Sequence, residues 1–201
     1  ADRIRTSAPV RAVTRDAEGV DVQADGCETE RFDEVVIAAH SDQALAMLTD
    51  PSDLERELLG AVSYQPNEAV LHTDERMLPR RRAAWASWNY HLAPEPPTCT
   101  QLTYWMNNLQ SLHSPTNLLV TLNRTEAIDP GKIIRTIPYA HPVFTPEGMA
   151  AQARHGEISG MDRTHFCGAY WRWGFHEDGV VSALNAIQRV GSSAARQAVG
   201  V

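Results

Sequence analysis

Near the C-terminus, Gly174-Phe175-His176-Glu177-Asp178-Gly179 sets an aromatic ring, an imidazole and two carboxylates between two glycines. Ahead of it, Thr164-His165-Phe166-Cys167-Gly168-Ala169-Tyr170 reads as a strand running into a glycine, followed by the Trp-rich loop Trp171-Arg172-Trp173. Val180, Ala183, Leu184, Ile187 and Val190 then recur at i, i+3/i+4, i+7, the spacing of one apolar helix face, with Gly191 as its expected C-terminal cap. The order is strand, glycine-containing loop, helix start. A helix start offers free N–H groups and the positive end of the macrodipole, so it can receive a phosphate or stabilise negative charge on a ring carbonyl. Glu177 and Asp178 weigh against a phosphate, because they already answer the dipole and repel an anion. A ring edge or a ribityl hydroxyl sits better beside them. The same spacing also describes an N-capped core helix, so by itself it names no ligand.

Other chemistries find less support. Cys27, Cys99 and Cys167 are odd in number and far apart, which fits neither a disulfide framework nor a zinc knuckle and points to a reducing, cytoplasmic setting. The eight histidines include no H-E-x-x-H pair and the cysteines no C-x-x-C, so no metal site is expected. Neither a G-x-S-x-G elbow nor a P-loop is present. Arg80-Arg81-Arg82 could clamp an anion but reads more simply as a solvated loop. With 18 basic against 25 acidic side chains, a net charge of −7 also speaks against general binding of nucleic acid. No apolar run is long enough to span a membrane.

The elements that must position these residues fall into three stretches of a 201-residue chain that is 43% hydrophobic, enough to bury a core. Residues 1–60 begin with two turn-linked strands around Val10-Arg11-Ala12-Val13 and Val20-Asp21-Val22. Phe32 to Ala39 ends in the continuous apolar run of a strand buried on both faces. Ser41-Asp42 can cap a short helix, and Ser52 with Glu55 forms a capping box for a second that Gly60 stops. Residues 61–160 read as a mainly antiparallel sheet, with strands at 69–73, 83–90, 100–106, 118–122 and 133–137. Pro-rich or polar breaks at 78–82, 93–97 and 129–132 separate them. Thr145-Pro146-Glu147 starts a helix that Gly156 is placed to end. Residues 161–201 carry the strand, loop and helix described first. The fold class expected is α+β.

The tail Phe166-Cys167-Gly168-Ala169-Tyr170…Gly174-Phe175-His176-Glu177-Asp178-Gly179-Val180…Ala183 resembles the C-terminal flavin motif of FAD-dependent amine oxidases and phytoene-desaturase-like enzymes. The opening strands and Phe32-Asp33-Glu34-Val35-Val36-Ile37-Ala38-Ala39 are similar to that superfamily's β-meander and return strand. His40-Ser41-Asp42-Gln43-Ala44-Leu45, Trp85-Ala86-Ser87-Trp88-Asn89-Tyr90 and Tyr104-Trp105-Met106-Asn107 resemble a bacterial branch of NAD/FAD-binding, amine-oxidase-like proteins. The resemblance implies a partial, Rossmann-like FAD domain from residues 1–60 and 161–201, and a substrate domain from 61–160.

It also implies roles for single residues. Val10 stands where the family's valine backbone meets the adenine side of FAD, and Gly168 where the backbone approaches the dinucleotide closely. Phe175 matches an aromatic facing the flavin. His176, Glu177 and Gly179 match the segment whose amides address the pyrimidine end of the ring, with Gly174, Asp178 and Val180 beside them. Ala169 stands where many relatives carry an acid, a contact that Glu177 or Asp178 could replace. The lysine that amine oxidases hold near the flavin has no counterpart; Leu71-His72-Thr73-Asp74 lies in that neighbourhood. No residue is marked as a catalytic base. The G-x-G-x-x-G grip on the ADP half of FAD is absent from the sequence. The expectation is therefore the C-terminal part of a longer FAD-dependent enzyme that oxidises an amine-like or alkyl substrate. Alone it would be inactive, lacking its N-terminal dinucleotide-binding segment, and prone to form a homo-oligomer through open sheet edges. Without the resemblance, the chain reads as a non-enzymatic β-rich binding module with an aromatic groove.

Overall fold

The structure, a computed structural model, describes residues 4–92 and 98–197; the Pro-rich break at 93–97 lies outside them. In chain order the elements are β1 (Val10–Arg15), β2 (Val20–Ala24), β3 (Glu30–Phe32), β4 (Val35–Ile37), α1 (Ser41–Met47), α2 (Asp53–Gly60) and β5 (Ser63–His72). There follow β6 (Trp88–Tyr90), β7 (Leu102–Trp105), α3 (Met106–Leu109), β8 (Leu119–Leu122) and β9 (Ile133–Val143). The chain ends with α4 (Pro146–Ala153), β10 (Thr164–Phe166) and α5 (His176–Gln197). Two compact units result, one from residues 1–63 and 142–201, the other from 64–141. The central segment read from the sequence as 61–160 differs mainly at its far boundary: α4 belongs with the chain's two ends.

In the unit built from the chain ends, β1, β2 and β3 form an antiparallel meander. β4 pairs in parallel with β10, setting Val35, Val36 and Ile37 beside Thr164, His165 and Phe166. β4 stops at Ile37 rather than running to Ala39, and Val36 is 42% exposed, so the expected burial on both faces is not found.

The meander is tied to α2 through a buried ion pair. Arg15 donates from Nη1 to Glu55 Oε1 (2.5 Å) and from Nη2 to Oε2 (3.0 Å), with Nε reaching Asp50 Oδ1 (3.1 Å). Glu55 is also the far member of the capping box: Ser52 N–H donates to its Oε2, while its own N–H donates to Ser52 Oγ. One carboxylate thus satisfies both the helix start and a buried guanidinium. The helix continues through Gly60 to a C-cap at Ala61. For α1 the expected cap shifts by one residue: His40 takes the N-cap, its side chain making no capping bond to the helix start, and Ser41 becomes the first helical residue. Thr145 caps α4 by accepting from Gly148 N–H, with Pro146 in the first turn, as the sequence implies. α4 ends at Ala153, ahead of Gly156, which lies in a following 3-10 turn.

The central unit is a five-stranded sheet in the order β6-β7-β8-β5-β9. Expected strand 83–90 is corrected: residues 82–84 form a 3-10 turn and only Trp88–Tyr90 is extended. The cause is local. Trp85 Nε1 donates to Pro79 O (2.8 Å), Arg82 lies over the Trp85 ring at 4.9 Å, and Asn89 Nδ2 donates to Ala86 O (2.7 Å). These contacts curl the segment before it can join the sheet. Val70, Met77 and Ile128 form a buried cluster in this unit.

Removing the Glu55 carboxylate leaves the buried Arg15 cation with the part-exposed Asp50 as its one remaining ion-pair partner among the described residues. Glu55→Ala should destabilise the fold by about 3–5 kcal/mol, read by chemical denaturation. Burial raises the Glu55 pKa, but the Arg15 guanidinium and Ser52 N–H outweigh it, so the net shift is downward. The pair therefore stabilises fully above the ordinary carboxylate pKa of about 4.3 and weakens as pH falls through the depressed folded value. Acid sensitivity in that window should be smaller in the Ala variant.

Candidate functional site

The strand, loop and helix at residues 164–180 are built around close approach. Thr164, His165 and Phe166 are fully buried in β10, and Cys167 N–H continues the pairing to Ile37 O (3.0 Å). Gly168 follows in extended conformation, and a Cβ there would lie 2.4 Å from the Tyr170 ring. The close approach that Gly168 permits is, in this structure, that of Tyr170. The Gly168 N–H donates to Ser182 Oγ (3.0 Å), tying the loop to α5. Gly174 adopts φ +85°, in the left-handed region that favours glycine, and returns its N–H to Ala169 O (3.1 Å).

Asp178 organises the rest. Its Oδ2 accepts from Trp173 N–H (3.2 Å) and Phe175 N–H (3.1 Å), while Arg172 Nε stands 3.5 Å from Oδ1. At 7% exposure it is committed inside the loop, so of the two acids only the exposed Glu177 remains for a cofactor contact. Gly179 N–H bonds Phe175 O (3.3 Å), whereas no backbone carbonyl among the described residues accepts from His176 or Glu177. Two of the three amides expected to address the ring are therefore available, at the positive end of a 22-residue helix.

The apolar stripe of α5 faces the other way from the sequence expectation. Asp178, Ser182 and Ala186 are buried, while Val180, Leu184 and Ile187 are 51%, 54% and 61% exposed. Small and polar residues form the inner face because the helix lies close to the loop: a Cβ on Gly179 would stand 3.9 Å from Ala169 Cβ, ordinary contact. The expected cap at Gly191 is also corrected, since the helix runs on to Gln197. Trp173 and Phe175 are 56% and 63% exposed at the helix start, continuing the open surface. Trp171 buries its indole N–H without a partner among the described residues. Exposed aromatic rings, free amides and an open apolar stripe suit a flat ring bearing hydrogen-bond acceptors at one edge, which is the chemistry of a flavin.

Val10 lies in the meander, where a register shift between Val10 and Ala12 interrupts the β1–β2 ladder. It lines a cavity of about 520 Å³ with Val22, Ala24 and Phe32, rimmed by Arg5, Glu28 and Glu30.

In the central unit the aromatic residues close on one another. Trp85 meets Trp105 edge-on at 5.3 Å and Trp88 meets Tyr104 at 5.2 Å, so packing accounts for most of the groove the sequence suggested. Sequence reasoning missed a buried polar chain. His72 Nε2 lies 2.7 Å from Thr121 Oγ1, which lies 2.8 Å from Thr103 Oγ1, which lies within reach of His91 Nε2 at 2.8 Å. The available signal was strand alternation: Thr121 pairs with Thr103 across β8 and β7, and His72 stands two residues from Thr121's other neighbour, Val70. Burial lowers the His72 pKa to about 4 despite the Asp74 charge, which pulls it up. Burial, then the Arg124 charge, lowers that of His91. Asp74 is held far below the carboxylate range by its bonds to Arg76. His72 is thus neutral and fully enclosed.

Two outcomes follow. Asp178→Ala removes the acceptor of two loop amides and should cost about 1–3 kcal/mol, while shifting the fluorescence of the released loop tryptophans. His72 should remain neutral in an NMR titration until about pH 4. Its lowered pKa means the folded state binds fewer protons, so stability falls as pH drops from about 6.5 toward that value.

The sequence matches no curated protein. Similar folds occur in the CLA-producing fatty acid isomerase from P. acnes, at 14% identity and TM-score 0.63, over 90% of this chain and 47% of that one. Putrescine oxidase, solved with putrescine bound, aligns at 15% identity and TM-score 0.60, over 98% of this chain and 50% of that one. Cyclohexylamine oxidase from Brevibacterium oxydans IH-35A aligns at 13% identity and TM-score 0.57, over 92% and 48%. The chain spans about half the length of these structures. Their low identity bears on the fold alone. The family model for flavin containing amine oxidoreductases, however, matches residues 1–191. The chain belongs to that family, whose cofactor is FAD.

Proposed function

We propose that this chain forms part of an FAD-dependent oxidoreductase that dehydrogenates an amine-like or alkyl substrate by hydride transfer to flavin. The observation that carries the reading is the start of α5, where Phe175 and Trp173 stand exposed beside the free amides of His176 and Glu177. When bound, the isoalloxazine supplies the two-electron acceptor, and an external acceptor restores it. His176 and Glu177 would hold the pyrimidine edge through their amides, and the helix dipole favours negative charge there. Phe175 and Val180 would offer apolar surface to the ring. Gly174 and Asp178 keep the loop in the shape that exposes those amides, and Gly168, Ala169 and Gly179 keep loop and helix close. Val10 would meet the adenine side from the cavity it lines.

The central unit would hold the small-molecule substrate. Nothing in it supports a catalytic base at His72, whose two ring nitrogens are both engaged. The grip on the ADP half is assigned to a dinucleotide-binding segment outside these 201 residues, because no G-x-G-x-x-G occurs within them. Without that segment we expect the chain to be inactive, and its open apolar surface supports a homo-oligomer. Three free cysteines support a cytoplasmic setting, and among the described residues no helix is long and apolar enough to cross a membrane.

Flavin uptake tests the reading. The complete polypeptide carrying this chain should bind FAD, read as visible absorbance that survives gel filtration. Gly179→Leu should weaken uptake by about 10-fold, or ~1.4 kcal/mol, at unchanged helix content. A complete polypeptide that stays colourless in excess FAD ends the oxidoreductase reading and leaves the aromatic binding module. Unchanged uptake in the variant reduces Gly179 to an ordinary helix residue.

A further inference from the structure

The buried chain in the central unit has a fixed direction. Asp74 N–H donates to His72 Nδ1 (3.0 Å), so that nitrogen is an acceptor and the single proton of the neutral ring sits on Nε2. His72 Nε2–H must then donate to Thr121 Oγ1, Thr121 must donate to Thr103 Oγ1, and Thr103 must donate to His91 Nε2. Reversing the first link would set the Nδ1 proton against Asp74 N–H, and reversing either later one would leave a threonine hydroxyl proton with no acceptor in the chain, in a site where His72, Thr103 and Thr121 are wholly buried. His91 is therefore held with Nε2 as acceptor and its proton on Nδ1.

His91 lines a cavity of about 400 Å³ within the same unit. Arg124 lines it too, and no ion pair among the described residues includes its guanidinium. The other arginine there, Arg76, is already paired with Asp74. Among the described residues no acidic one contributes to the wall, while Met77, Leu78 and Pro79 give it an apolar side. A cation with no counter-ion among the described residues, a ring nitrogen fixed as a donor and an apolar wall define one ligand chemistry.

We propose that this cavity binds a small carboxylate with a short aliphatic tail, its head between Arg124 and the Nδ1–H of His91. Thr103, Thr121 and His72 are positioning residues that act through His91. The site lies wholly within residues 64–141 and requires no flavin, so it stands or falls apart from the oxidoreductase reading.

Calorimetric titration of the full chain with hexanoate tests it, with acetate, hexanol and inorganic phosphate as controls. Hexanoate should bind at least ~10-fold more tightly than each control, and Arg124→Gln should weaken it by a further ~10-fold or more. Arg124 is only half-buried, so this variant should keep its fold. No hexanoate binding, equal binding of hexanol, tighter binding of phosphate, or unchanged affinity in Arg124→Gln overturns the proposal. The positioning role has its own readout in the nitrogen chemical shifts of labelled histidine. Wild-type His91 should show a protonated Nδ1 and a bare Nε2, and Thr121→Val, nearly isosteric, should mix the two tautomers. A wild-type His91 protonated on Nε2, or a single unchanged tautomer in Thr121→Val, overturns that part.

Discussion

Three rungs of parallel pairing hold the chain's two ends together. Val35–Ile37 and Thr164–Phe166 are separated by the whole central unit, yet they must meet for the first and last segments to share a core. Closing so long a loop is entropically unfavourable, and three ladder positions alone would not offset it. Side chains add to the join. His165 Nε2 lies 2.6 Å from Glu34 Oε2, and Arg163 donates to Ala17 O and Asp33 O. Phe166 is fully buried beside them. Everything downstream, from Gly168 to the start of α5, takes its position from this pairing.

That position explains why α5 packs with its smaller face inward. β10 delivers the chain to a loop closed by Gly174 and the Asp178 carboxylate, and Gly168 N–H is fastened to Ser182, nearly two turns into the helix. With Ser182 turned inward, Ala186 one turn on follows, and the stripe from Val180 to Ile187 must point outward. An exposed stripe of this kind is costly unless it meets a ligand or more polypeptide. It is consistent with the flavin reading, in which a cofactor and its remaining binding segment need an apolar surface.

The central unit solves a different problem. Burying Thr103, Thr121 and His72 in a sheet is tolerable only because each donor finds an acceptor. Asp74 sets the direction from one end through its N–H, while its own charge is balanced by Arg76 and Lys132. Asp74 is wholly buried but paired with cations that reach solvent, and the run from His72 to His91 carries only neutral partners. The result is a histidine whose tautomer is decided several residues away.

Local chemistry was readable from the residues. The capping box at Ser52 and Glu55, the Thr145-Pro146 helix start, the turn-linked opening strands and the strand-loop-helix order of the tail all depend on neighbours a few positions apart, and all are present. The kinship with flavin enzymes was legible for the same reason, since Gly174 to Gly179 is a contiguous segment. What tertiary structure decided was direction. Periodicity shows that α5 has an apolar face but not which face is buried, because that depends on the Gly168–Ser182 bond and the pairing of β10 with β4. Spacing likewise could not reveal that Asp178 closes its own loop, that Glu55 answers Arg15, or that His72 is linked to His91 through two threonines. Each of these contacts joins groups whose energies depend on burial and geometry, and those exist only once the chain has folded.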